Sequence, residues 1–187
     1  MPMPTLKRQW NAADLRDLPD NGNRYEIVAG ELFVTPAPTW RHQEAVVQLV
    51  RLLADYLDEE RVGQVLVAPA DVVFSPQHSV QPDLFVVPLV NGRRPERFQD
   101  VGRLLLAIEV HSSSTARADR VEKRILYRER GVDEYWIVDL DAQTFERSIA
   151  SDTHVVVSAD TVAWSPPGAA RALVIDLFAY FTRVLGD

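Results

Sequence analysis

The 187-residue sequence predicts a single α/β domain, a mixed β-sheet flanked by helices, and three features carry that reading. The run Leu104 to His111 (LLLAIEVH) is too continuously apolar for a half-exposed strand and reads as a central one. Residues 42–57 place Val46, Leu49, Val50, Leu53 and Leu57 at helical spacing, which predicts an amphipathic helix. No linker or internal repeat interrupts the order helix, three strands, helix, strands, and 47% hydrophobic with 25% charged residues is ordinary globular composition.

Each element has its own signal. RYEIVAGELFV, residues 24–34, reads as two short extended runs around the turn Ala29-Gly30, followed by a proline-containing loop from Thr35 to Trp40. After the helix from His42 to Leu57, the β-branched runs Gln64 to Phe74 and Asp83 to Pro88 form a hairpin-like pair separated by Ser75 to Pro82. Asn91 to Asp100 is a charged loop leading to the central strand. Ser112 to Thr115 supply N-cap hydroxyls for a helix through about Arg130, with Gly131 as its C-cap. Tyr135 to Leu140 is a second buried strand, and Thr144 to Ile149, Thr153 to Val157 and a helix near Asp176 to Leu185 complete the chain.

Composition narrows the chemistry. With no cysteine, disulfides, zinc-thiolate sites and cysteine nucleophiles are excluded, and any metal must be held by Asp, Glu or His. Twenty Lys and Arg against 27 Asp and Glu give a net charge of −7, which disfavours a general nucleic-acid coat protein. No stretch is apolar enough for a membrane span and the amino terminus lacks a secretory h-region, so a cytoplasmic protein is expected.

Against this background a few polar residues stand out. Glu109 interrupts the central strand, on the face that alternation assigns to Leu105 and Ala107, and a carboxylate there needs a cation, hydrogen bonds or water. Asp83, after Gln81-Pro82, opens the apolar run Leu84 to Val87; read singly, it is equally a turn residue. The helix after Glu109 concentrates positive charge in an acidic protein: Arg117, Arg120, Lys123, Arg124, Arg128 and Arg130 outnumber Asp119, Glu122 and Glu129. Helical spacing aligns Arg117, Arg120 and Arg124 along one side, suited to phosphate, and makes Asp119 and Lys123 an i, i+4 ion pair. Trp136 and Tyr135 read as core.

The order Pro-Asp, then Glu-Val-His, then a helix-borne lysine resembles the restriction-endonuclease-like PD-(D/E)XK superfamily. Within it, QPDLFVVP, LLLAIEVHSSSTARADRVEKRILYRERGVDEYWIVD and RYEIVAGELFVTPAP with His42 soon after are similar to the Uma2 family of endonucleases, over residues 24–181. The resemblance implies one domain with a restriction-endonuclease-like core, a four-stranded mixed sheet between helices. It implies Asp83 and Glu109 as ligands of Mg²⁺ or Mn²⁺. The superfamily's lysine would stand two residues after the glutamate, where this chain has His111, and Lys123 takes its place. Glu31 is the candidate for a third carboxylate, and His42 a weaker candidate ligand. The reaction expected is hydrolysis of a nucleic acid, DNA by preference, with Lys123 assisting catalysis and Arg117, Arg120 and Arg124 on flanking phosphates. The competing readings are an inactive relative that binds nucleic acid or a protein partner, and a structural module in which Asp83, Glu109 and Lys123 satisfy one another. The apolar segment from Val65 to Phe74 offers a homodimer contact.

Overall fold

The computed structural model describes residues 8–111, 116–152 and 154–186, apart from the side chains of 116–120. Arg24–Val28 (β1) and Glu31–Thr35 (β2) form the expected hairpin, turning through Ala29 and Gly30, both with positive φ. Trp40–Glu60 (α1) extends the expected helix at both ends, because the Thr39 hydroxyl accepts a hydrogen bond from the His42 amide and caps it.

The run expected from Gln64 to Phe74 is two strands in two sheets. Gly63–Val67 (β3) pairs antiparallel with Leu84–Pro88 (β6), as the hairpin-like reading requires, whereas Val72–Ser75 (β4) pairs with His78–Val80 (β5). Pro69 has no amide hydrogen to give a ladder, and the chain leaves the sheet there. The segment Ser75 to Pro82, expected as a turn, therefore contains β5.

Leu106–His111 (β7) is the central strand the sequence predicts. It pairs antiparallel with β6 and parallel with Glu134–Asp139 (β8), and Ala116–Glu129 (α2) makes the crossover between them. Gly131, with φ +69, follows that helix; Ser112 to Thr115, expected to cap its start, lie outside the described residues. Thr144–Ile149 (β9) and Val155–Ser158 (β10) complete a six-stranded sheet in the order β10-β9-β8-β7-β6-β3. A second sheet runs β2-β1-β5-β4. Thr161–Trp164 (β11) and Leu173–Asp176 (β12), which the sequence reading left unassigned, form a two-stranded sheet before the final helix Leu177–Leu185 (α3).

The large sheet has a core on each face. On one, α1, α3 and the β11-β12 ribbon pack against Leu84, Val86, Leu106, Ile108, Val110, Trp136 and Val138. On the other, α2 and the small sheet cover Phe85, Val87, Ala107, Tyr135 and Ile137. Glu109 alternates with Ala107 onto this second face; Leu105 precedes the regular strand and joins the first core instead. Trp136 and Tyr135 are core residues, as expected. The segment from Val65 to Phe74 is largely consumed inside the chain: Phe74 packs edge-on against Phe98 and Tyr127, and Val67, 42% exposed, is its large apolar side chain left on the surface.

Candidate active site

Antiparallel register does the first part of the assembly. Leu84 lies opposite Ile108, so Asp83 falls beside Glu109, and the Val110 amide donates to Asp83 Oδ2 at 2.8 Å. Two carboxylates expected from the sequence are thus side by side, Asp83 just before β6 and Glu109 within β7, and both are buried. His42, in the first turn of α1, reaches the same place: its Nε2 lies 3.1 Å from Asp83 Oδ2.

The third carboxylate is Glu26. Glu31 lies exposed at the turn end of the β1-β2 ladder, opposite Val28, whereas Glu26 on β1 is buried against α2. Lys123 projects from α2 and donates to both Glu26 oxygens, at 3.0 and 2.8 Å, and to Glu109 Oε1 at 2.9 Å. Those three bonds match the three protons of an ammonium group. The Tyr127 hydroxyl, one turn further on, donates to the same Glu109 oxygen at 3.3 Å. The Gln81 amide donates to Glu26 Oε1 at 2.8 Å and ties the loop before Asp83 to β1.

Arg24 closes the cluster. Its Nη1 donates to Asp83 Oδ1 at 2.6 Å, its Nη2 lies 3.9 Å from Glu109 Oε2, and its Nε lies 3.6 Å from Glu26 Oε2. Neither Arg24 nor Glu26 emerged from the sequence. The available signal was their two-residue spacing in RYE, which puts both on one face of β1.

Three carboxylates therefore face two permanent cations, Arg24 and Lys123, leaving a deficit of one positive charge. The two acids at the centre respond oppositely. Burial pushes the Glu109 carboxyl up to about 8, with Lys123 opposing the rise and Glu26 and Asp83 adding to it. Burial raises Asp83 too, but the His42 hydrogen bond, the Arg24 charge and the Val110 amide outweigh it and hold Asp83 well below the usual carboxylate range.

These directions predict a pH dependence for the metal-free protein. A raised Glu109 favours the protonated native state, a contribution fully present below about pH 4 and lost as pH rises through about 8. Asp83 acts in the other sense, its contribution being present above about pH 4 and lost in acid, outside that window. In EDTA, wild-type stability from urea melts should fall by a few kcal/mol between about pH 5 and 8, and Glu109→Gln should be flatter. Parallel profiles would show that Glu109 does not carry the proton.

The donor set fits a hard divalent cation. Asp83 Oδ1 and Glu109 Oε2 both face one positive group, the Arg24 guanidinium, while their other oxygens are held by His42, Val110, Lys123 and Tyr127. Oxygen ligands of this kind suit Mg²⁺ or Mn²⁺. Among the described residues, no three His, Asp or Glu side chains are gathered as a ready-made metal cage.

The basic helix divides. Lys123, which spacing alone would pair with Asp119 on a solvated face, is turned inward and buried. Arg124 donates to Glu146 on β9 at 2.9 Å. The Arg117 and Arg120 side chains lie outside the described residues. His111 ends β7 and is buried.

The fold is one already seen in a solved structure. The crystal structure of an Anabaena variabilis protein, titled a "putative nuclease belonging to DUF820", superposes with a TM-score of 0.76 at 18% identity, covering 93% of this chain and 98% of that one. The chain belongs to the Uma2 family, described as "Putative restriction endonuclease", which it matches over residues 12–171. None of the curated proteins compared matches it. Among the described residues, no helix is long and apolar enough to cross a membrane.

Proposed function

We propose that the protein is a metal-dependent endonuclease that hydrolyses phosphodiester bonds of DNA, with Asp83 and Glu109 as ligands of Mg²⁺ or Mn²⁺. One observation carries the reading: two carboxylates on neighbouring central strands aim one oxygen each at a single cation, at the partly exposed edge of an otherwise buried cluster. A bound divalent ion would polarise a phosphoryl oxygen and lower the pKa of a water at the scissile phosphate.

The chain's own residues supply the positioning. His42 and the Val110 amide hold Asp83 Oδ2, so that Oδ1 faces outward. Lys123 and Tyr127 hold Glu109 Oε1 and leave Oε2 facing the same point. Lys123 is thereby a positioning residue for Glu109, and its expected approach to the phosphate would require it to leave Glu26. Glu26, rather than Glu31, is the acid that shares the Lys123 ammonium with Glu109. Arg117, Arg120 and Arg124 remain the candidates for flanking phosphates, Arg124 by exchanging Glu146 for a phosphate oxygen.

The ion pairs at Lys123 and Arg24 also favour a second reading, a catalytically inactive fold member that binds nucleic acid or a protein partner. Assays of the purified chain on single- and double-stranded DNA and RNA, with Mg²⁺, Mn²⁺ or EDTA, separate the two. Cleavage of DNA with either metal and its loss in EDTA are expected. Cleavage that survives EDTA, or none on any substrate, would overturn the proposal.

A further inference from the structure

Arg24 is less well bonded than Arg147, the arginine that pairs with the buried Glu134. Arg147 grips Glu134 with two hydrogen bonds, at 2.7 and 2.8 Å, the geometry of a settled arginine–carboxylate pair. Arg24 makes one short hydrogen bond, to Asp83, and meets Glu109 and Glu26 only at 3.9 and 3.6 Å. Its Nε, though buried, has no hydrogen-bond partner. Charge rather than fitted bonding holds it among the three carboxylates.

Its access to solvent differs as well. The Lys123 side chain is 2% exposed and sealed beneath α2, while the Arg24 side chain is 20% exposed, so of the two cations Arg24 is the one with a path out. It stands against the two oxygens, Asp83 Oδ1 and Glu109 Oε2, that the rest of the cluster leaves outward. A divalent ion in place of Arg24, together with Lys123, would balance the three carboxylates in their charged forms.

We propose that Arg24 is an exchangeable internal counter-cation: it occupies the metal position in the metal-free protein, competes with the divalent ion for Asp83 and Glu109, and swings out when the ion binds. The inference rests on the metal-site reading. Freed at the mouth of the site, the guanidinium becomes available to a substrate phosphate, for which its planar fork is suited.

Mn²⁺ binding by the full-length chain, followed by calorimetry and by the paramagnetic resonance of free Mn²⁺, tests the exchange without any substrate. Arg24→Gln removes the competing charge a few ångströms from the ion and should bind Mn²⁺ at least about tenfold more tightly than wild type, with Arg24→Lys in between. A folded Arg24→Gln that binds Mn²⁺ no more tightly than wild type would overturn the exchange and leave the metal site standing. No binding by wild type or variants would overturn the metal site, and the exchange with it. Because Arg24→Gln leaves three acids with one cation and could unfold, the wild type is followed as well: the Arg24 Nε–H resonance, identified by its loss in Arg24→Lys, should move to the position of solvent-exposed arginines on titration with Mg²⁺. A resonance that stays in place while Mg²⁺ binds would equally overturn the exchange.

Discussion

Glu109→Gln should cleave DNA at under about one-thousandth of the wild-type rate while melting no lower than wild type in EDTA at pH 8. The activity loss follows from removing a charged metal ligand: several kcal/mol of transition-state stabilisation are at stake, and each 1.36 kcal/mol is tenfold in rate. The retained stability follows from the site itself, since the cluster already pushes Glu109 toward its neutral form and glutamine supplies that form without a proton. Asp83→Asn should lose activity to the same extent but also stability, because Asp83 is held in its charged form by His42, Arg24 and Val110. Cleavage assays with Mg²⁺ and melts in EDTA on the two variants give four measurements. Activity within tenfold of wild type in both variants would reject these carboxylates as ligands, and a large loss of stability in Glu109→Gln would identify Glu109 as a structural anion instead.

The contrast between these two acids bears on what could be read in the sequence. Glu109 was legible because a carboxylate in an otherwise apolar central strand needs a reason to be there, and the strand itself was unmistakable. Asp83 gained meaning only through the register that sets it beside Glu109, a pairing between strands that sequence order alone does not specify. Glu26 was hidden by its context. In a hairpin, RYE looks like a strand with its polar face to water, and the burial of that face comes from α2 and from the loop at Gln81, far along the chain. Lys123 illustrates the converse: its helix is polar enough for Asp119 and Lys123 to look like a solvated pair, and family resemblance, not periodicity, marked it as a site residue. The strands that went unread, β5, β11 and β12, are three or four residues long, too short for a two-residue period to stand out from a loop.

Lys123 is also where the largest effect on the fold is expected. Lys123→Met keeps a long, unbranched side chain under α2 but removes the cation that hydrogen-bonds both Glu26 and Glu109. Breaking a buried pair by deleting one partner typically costs about 3–5 kcal/mol, because the charge left behind stays desolvated. In a domain of this size such a loss lowers the melting temperature by about 10 °C or more. Glu109 can limit the damage by taking up a proton, so the cost should shrink as pH falls from 8 to 5. Among the described residues, Glu26 then has the more distant Arg24 and the Gln81 amide to turn to. The double variant Lys123→Met with Glu26→Gln should therefore recover most of the stability at neutral pH, and with it the fold, without recovering cleavage at the wild-type rate. Urea melts of wild type, single and double variants at pH 5 and pH 8 read this out. A single variant within about 1 kcal/mol of wild type at pH 8 would mean that Lys123 does not bear the electrostatic load of the cluster. A double variant no more stable than the single would mean that Glu26 is not the acid it neutralises.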